Sequence, residues 1–217
     1  MTITLIIILF TVATSVAAFP PQIPSIEAIR NTTILPRFSF SPYSIRRFKQ
    51  FDRFITHAFI HANWWHLIFN MLTFYFFAPQ IENLYRIFFG KFWGSLIFVL
   101  FYFSAIIVSS VFDYFKYNKI SSYNAVGASG AVSAVIFSFI LFSPQSKLFL
   151  FFIPIPIPAW IFGLLYLFYS AYMAKRNVDN IGHSAHFWGS VWGVIFPFLF
   201  INYNIIISLF VDQLIYE

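Results

Sequence analysis

The chain has 217 residues, of which 60% are apolar and 9% charged, and its mean hydropathy is +0.78. Because so few polar side chains cannot cover the surface of a soluble globular protein, the composition favours a polytopic membrane protein. The absence of cysteine excludes disulfides and thiolate chemistry. The net charge of +6 comes from scattered Lys and Arg without a basic run, which indicates membrane-surface loops and excludes a nucleic-acid partner.

Six apolar segments along the chain approach the roughly 20 residues that a helix needs to cross a membrane. We predict an all-α bundle of six transmembrane helices, forming a single integral membrane domain over residues 1–217. The stretch at about 20–58 contains five prolines and is interpreted as a long first loop. The predicted helices cover residues 3–19, 60–79, 92–112, 127–142, 148–170 and 184–202.

The first and fifth segments each carry an unusual local signal. The first ends in "TVATSVAAF", whose small residues are typical of a signal-peptidase site. No basic residue precedes it and it is long enough to span, so we expect a retained helix. The fifth opens with prolines at 154, 156 and 158, which either exclude a regular helix start before about residue 158 or require a kink.

The fourth segment contains "NAVGASGAVSA", in which Ser129 is surrounded by small residues. If a helix begins near residue 128, Ser129 lies in its first turn, where unpaired N–H groups and the helix dipole stabilise a nearby anion. Close packing of transmembrane helices also requires small residues, so the stretch alone fits either a packing role or an oxyanion site.

The sixth segment reads "GHSAHFWGSVWG" and places His186, Gly189 and Gly193 on one helix face. The two glycines allow another helix with small residues to approach closely, and the fourth segment offers such residues. This packing would bring His186 toward Ser129, and an imidazole beside a serine hydroxyl is the simplest activated nucleophile. His183 is a rival base on a shifted face, so we rank it below His186.

The second segment contains "HANWWHLIFN", where His66 and Asn70 are spaced four residues apart and share a helix face. Polar side chains in an apolar helix need partners. His66 and Asn70 would either donate hydrogen bonds to an oxyanion beside Ser129 or join helices by hydrogen bonds. His57 and His61 precede His66 and Asn70 at the mouth of this helix, and His57 is interpreted as an interfacial polar residue.

No Asp or Glu accompanies His186 in its own segment, so a Ser-His dyad is predicted rather than a triad. A histidine-dependent metal enzyme or transporter is the weaker alternative. The motif "HExxH" is absent, and the spacing of His183 and His186 is a poor metal pair. We therefore expect neither a metal nor another cofactor.

Three ordered motifs, "HANWWHLIFN", "GASG" and "AHFWGSVWG", together resemble the rhomboid family of intramembrane serine proteases. The resemblance implies that Ser129 is the nucleophile, His186 the general base, and His66 and Asn70 oxyanion donors. It also implies that transmembrane proteins are the substrates and the lipid bilayer the surroundings. A non-catalytic relative that binds transmembrane clients is the alternative, although it would tend to lack the nucleophile and base.

The resemblance extends to supporting residues, but this sequence departs from the family's pattern at two places. Gly127 and Gly130 would allow tight packing around Ser129, and Glu82 resembles a structural glutamate of the family. Many relatives carry an aromatic residue one turn after the nucleophile, stacked on the catalytic histidine, whereas this chain has Ser133. The Trp-Arg pair of the first loop is also not evident, although Arg46, Arg47 and Arg53 are present.

The orientation in the membrane receives conflicting signals. Ten Lys and Arg fall in loops on the side of Ser129 and three on the opposite side, so the positive-inside rule puts the Ser129 side in the cytoplasm. The resemblance implies the reverse for a bacterial enzyme, and we expect that orientation in a bacterial inner membrane, because the long first loop carries six of the ten.

Overall fold

The first helix, α1 (Ile3–Ala18), buries one stripe of side chains at steps of three to four residues, formed by Thr4, Ile7, Thr11 and Ser15. This stripe packs against the long helix that follows the first loop. The computed structural model of the chain describes residues 2–19, 34–150, 153–176 and 181–216. The early prolines of the first loop, at 20, 21 and 24, lie outside these ranges.

Glu82 holds the N-terminus of α1. Its buried carboxylate accepts hydrogen bonds from the Ile3 and Thr4 amides at 2.9 Å each and from the Thr4 hydroxyl at 2.7 Å. It also pairs with Arg86 at 2.5 Å. A negative charge at a helix N-terminus satisfies unpaired N–H groups and the helix dipole. Glu82 therefore makes structural contacts that join α1 to the rest of the bundle.

The described part of the first loop consists of short helices. They are α2 (Ile34–Phe38), α3 (Pro42–Phe48), α4 (Arg53–Thr56) and a 3-10 turn (His57–Phe59). Arg53, which is buried, donates to the Pro36 carbonyl at 2.9 Å and to the Ser39 carbonyl at 2.7 Å. Arg53 thus ties separate parts of the first loop together through two backbone carbonyls.

Helix α5 (Trp64–Tyr117) covers both the second and the third predicted segments. The chain bends at Gly90, whose φ of 77° is left-handed, so α5 consists of two arms. Among the described residues, α5 is the one helix with the length and apolar composition to cross a membrane, whereas α1 and others are apolar but shorter. The predicted count of six spans therefore stays a prediction.

Helix α6 (Ser129–Phe142) begins at the serine, and an antiparallel hairpin follows it, formed by β1 (Lys147–Leu150) and β2 (Ile153–Pro158). The prediction of a helix over 148–170 is therefore wrong in its first part. Proline at every second residue of β2 removes the N–H donors along one edge of the strand, so that edge needs no partner strand. The same prolines exclude a regular helix over these residues. Helix α7 (Ala159–Arg176) begins next, which confirms a helix start near residue 158.

The chain ends with α8 (His183–Ile195), a 3-10 turn (Phe196–Leu199) and α9 (Tyr203–Tyr216). The prediction missed α9 and extended the preceding helix to residue 202. Pro197 lies where α8 tightens into the 3-10 turn, because proline cannot continue the α-helical hydrogen-bond pattern. Ile206 of α9 is fully buried, and Gln145 donates to the Leu214 carbonyl at 3.2 Å.

Candidate active site

The closest helix contact in the site joins α6 and α8. A Cβ added to Gly189 would collide with the carbonyl of Gly130, and one added to Gly193 would collide with the carbonyl of Ala134. The backbones therefore touch without intervening side chains. The approach of these helices that the glycine spacing predicts is present in the structure.

This contact lies beside a cavity of about 1150 Å³. Its lining comes from the first loop, both ends of α5, the segment 122–128, the start of α6, the middle and end of α7 and the start of α8. The structure brings together the four polar side chains that the sequence selects, which are Ser129, His186, His66 and Asn70.

Ser129 is the first residue of α6 and is partly exposed to the cavity. The first-turn N–H groups of a helix have no partner within that helix, so they are available to an anion at this point. The hydroxyl and the backbone donors therefore share one wall of the cavity.

The first loop holds the segment that precedes Ser129. Phe40 and Ala125 exchange two backbone hydrogen bonds, of 2.8 and 3.0 Å. The Gly127 amide donates to the His57 carbonyl at 2.9 Å, and the Ala128 amide donates to His61 Nε2 at 3.4 Å. The segment that leads to Ser129 is therefore held in place by residues that are distant in the sequence.

His61 connects this segment to α1. Because Nε2 accepts from the Ala128 amide, the neutral ring carries its proton on Nδ1, which donates to the Ser15 hydroxyl at 2.9 Å. The Ser15 hydroxyl in turn donates to the Phe59 carbonyl at 3.1 Å. His61 is completely buried, so it has a positioning role that the sequence analysis did not assign.

Acid is expected to destabilise the protein through His57 and His61. Burial lowers the pKa of His57 to about 4, and burial together with the charge of His66 lowers the pKa of His61 to about 3. Both titrate near 6.5 when unfolded, so below that pH the unfolded chain binds more protons than the folded one. The free energy of unfolding should fall as pH drops below about 6.5, by up to about 1.4 kcal/mol per pH unit for each histidine.

Melting temperatures in detergent at about pH 7.5 and about pH 5 measure this effect. His57→Asn is the matched variant, since its amide can still donate to the Arg53 carbonyl that accepts from His57 Nδ1 at 2.8 Å. We expect a smaller difference between the two pH values in this variant. A wild-type melting temperature that does not change with pH would contradict the neutral state of both rings.

Gly127 is the glycine whose conformation the site requires. Its φ is +112°, and an added Cβ would lie 2.5 Å from Cε1 and 2.7 Å from Nε2 of His66. The imidazole of His66 therefore lies directly on the backbone two residues before Ser129. Asn63 accepts the His66 amide at 2.9 Å and so caps the start of α5.

Asn70 is buried and lines the cavity one turn after His66. Its side-chain amide donates to the His66 carbonyl at 2.8 Å, which uses one of its two hydrogens. The second hydrogen is the one with which Asn70 can donate to an anion in the cavity.

Two residues that line the cavity are not indicated by the sequence. Asp113, near the end of α5, is buried and accepts a 2.9 Å hydrogen bond from the Tyr123 hydroxyl, so one carboxylate does line the cavity. Tyr166 of α7 lies against His186. No local signal selects either residue, because α7 is rich in aromatic residues and Asp113 is remote in sequence.

His183 and His186 both line the cavity, with ring centroids 6.0 Å apart in an edge-to-face arrangement. His183 is almost fully buried and also contacts Tyr169 edge-on at 5.4 Å. In the described part of the chain, no three His, Asp or Glu side chains are grouped so as to share a metal ion.

Two curated proteins are similar to part of this chain. Rhomboid protein 1, mitochondrial, of Saccharomyces cerevisiae is 30% identical over 143 residues, covering 64% of this chain and 39% of its own length. RHOMBOID-like protein 12, mitochondrial, of Arabidopsis thaliana is 29% identical over 143 residues, covering 63% of this chain and 42% of its own length. The chain thus spans about two fifths of the length of these relatives.

These relatives overturn the expected location in a bacterial inner membrane, because both are mitochondrial proteins of eukaryotes. The expectation came from the resemblance alone, and nothing in the sequence motifs distinguishes bacterial from mitochondrial proteins. The orientation expected for a bacterial enzyme loses its basis at the same time.

The rhomboid domain family matches residues 49–203. The match extends from the residue after α3 through α4, α5, α6, the hairpin, α7 and α8 to the start of α9, and so contains Ser129, His186, His66 and Asn70. It leaves α1, α2, α3 and most of α9 outside. The chain is therefore a membrane protein that belongs to the rhomboid family.

Proposed function

We propose that this chain is an intramembrane serine endopeptidase that cleaves transmembrane segments of other membrane proteins through Ser129 and His186. The observation that carries this proposal is the shared cavity at the glycine contact of α6 and α8, which has Ser129 on one helix and His186 on the other. A non-catalytic member of the family would need neither side chain there.

The chemistry follows from the residues of the cavity. The Ser129 hydroxyl gives its proton to the His186 imidazole as its oxygen attacks the scissile carbonyl carbon, which produces a tetrahedral anion. The anion collapses, the C–N bond breaks, and the imidazolium protonates the leaving amine. Water then attacks the acyl ester with His186 again accepting a proton, which releases the new carboxylate and regenerates the Ser129 hydroxyl.

The tetrahedral anion is stabilised by the Ser129 backbone N–H, the His66 imidazole and the Asn70 amide. Two observations support the side-chain donors: the His66 imidazole lies on the backbone of Gly127, and the Asn70 amide has a second hydrogen besides the one donated to the His66 carbonyl. Loss of one such donor typically costs about 100- to 1000-fold in turnover.

The proposed location is a mitochondrial membrane, with six spanning helices and the lipid bilayer as the surroundings. The names of the two relatives support the compartment. Many apolar side chains are exposed around the bundle, such as Leu9, Phe92, Phe115 and Phe168, and lipid contact accounts for them.

The test is cleavage of a generic transmembrane substrate by the purified protein in detergent. We expect cleavage by the wild type, none by Ser129→Ala, and unchanged cleavage after chelation with excess EDTA, because the proposed reaction uses no metal ion. No cleavage by a folded wild-type protein would support the non-catalytic alternative. Loss of cleavage on chelation and its recovery with zinc would support a metal enzyme.

A further inference from the structure

Tyr166 is in contact with both helices of the proposed dyad. Its hydroxyl lies 2.8 Å from the Ser133 hydroxyl of α6. Its ring stacks on the His186 imidazole of α8, with centroids 6.2 Å apart and planes inclined by 25°. A single side chain of α7 therefore connects the residue one turn after Ser129 with the proposed base.

The surroundings of Tyr166 fix its orientation. The rings of Phe137 and Phe162 pack against it, with centroids 5.8 and 5.7 Å away. One turn before Tyr166, a Cβ on Gly163 would lie 3.1 Å from the Ile140 side chain, so the absence of a side chain lets α7 approach α6. The ring cannot turn away from His186 without moving these neighbours.

Ser133 leaves the space that the Tyr166 ring fills. Ser133 lies four residues after Ser129, on the same face of α6, and its side chain is buried. A small residue at this position provides a hydroxyl partner without occupying the space over His186. The aromatic group that would be expected on α6 is thus supplied by α7.

We propose that Tyr166 is the positioning residue of His186 and that Ser133 anchors its hydroxyl. This inference rests on the proposed serine protease function. A ring held by two helices restricts rotation of the imidazole, so that its nitrogen stays aligned with the Ser129 hydroxyl. Within the described residues, His183 of the same helix also meets the His186 ring edge-on.

The experiment compares the rate at which a fluorophosphonate modifies Ser129, together with kcat and KM for a transmembrane substrate. Tyr166→Phe and Ser133→Ala remove the hydroxyl contact but retain the helix packing, and we expect labelling about 2- to 10-fold slower. Tyr166→Leu also removes the stacked ring, and we expect about 10- to 100-fold slower labelling. In each case kcat should fall while KM stays unchanged.

Tyr172→Leu is the matched control, because Tyr172 lies on the same helix, is 54% exposed and carries the Arg176 guanidinium over its ring, away from His186. It should label at the wild-type rate. The exchange variant Ser133→Tyr with Tyr166→Ser returns an aromatic ring to α6, and it should recover at least about one third of the rate lost in Tyr166→Leu.

The outcomes separate this inference from the proposed function. An unlabelled wild-type protein overturns the proposed function and this inference with it. A labelled wild type with an equally fast Tyr166→Leu overturns only the positioning role. A slow Tyr166→Leu that melts at a lower temperature, with no recovery in the exchange variant, identifies Tyr166 as a packing residue and also overturns it.

Discussion

His186→Ala is expected to abolish modification of Ser129 by a serine-directed phosphonate, with a rate at least about 1000-fold below that of the wild type. The reason is that no other group in the proposed mechanism accepts the Ser129 proton. The variant should stay folded, because His186 is only partly buried and the 2.8 Å hydrogen bond that Ser190 donates to its backbone carbonyl, within α8, does not depend on the imidazole. Labelling followed by mass spectrometry of the Ser129 peptide measures the effect.

His183→Ala is the control, since His183 is on the same helix and lines the same cavity. It should lower the labelling rate by less than about 10-fold, through the lost edge-to-face contact with His186. Loss of labelling in His183→Ala with labelling retained in His186→Ala would exchange the two assignments. Equal loss in both, in step with lower melting temperatures, would indicate that both histidines are structural.

The second large effect is expected at the glycines between α6 and α8. Gly189→Ala and Gly193→Ala each place a Cβ on a carbonyl of the facing helix, at Gly130 and Ala134. Backbone cannot move aside as a flexible side chain can, so the helices must separate. We expect a loss of about 1–3 kcal/mol or more in the free energy of unfolding, together with loss of labelling, because separation moves His186 away from Ser129.

Gly182→Ala provides the comparison, because a Cβ there would lie 3.8 Å from the Ala185 side chain, an ordinary contact. Its melting temperature in detergent and its labelling rate should match those of the wild type. If Gly189→Ala and Gly193→Ala behave like Gly182→Ala, the close backbone contact of the two helices is absent in the folded protein.

The first loop illustrates what the sequence could not predict about the site. Its prolines and basic residues indicate a polar loop, but they do not show that Phe40 pairs with Ala125 or that the His57 carbonyl holds Gly127. These contacts join residues about 70 to 85 positions apart. Loop contacts of this kind have no periodicity, so no local pattern encodes them.

The sequence by itself determined the membrane class, four polar residues of the cavity and the glycine face of α8. The four residues are Ser129, His186, His66 and Asn70. Composition decides the first, and the others follow from the spacing of residues within a helix, which is a local property. It failed at β1 and β2, which form a hairpin where the predicted fifth helix begins, and at α9, which follows the turn at Pro197 without a separate signal.

Only the tertiary structure decided what surrounds His186. The sequence raises the question through Ser133, and the answer is Tyr166, a residue of another helix that reaches the space Ser133 leaves empty. Likewise, Asp113 reaches the cavity only because the second arm of α5 ends beside the start of α6. The distance between two helices and their rotation about their own axes depend on all the side chains packed between them, so no single segment contains that information.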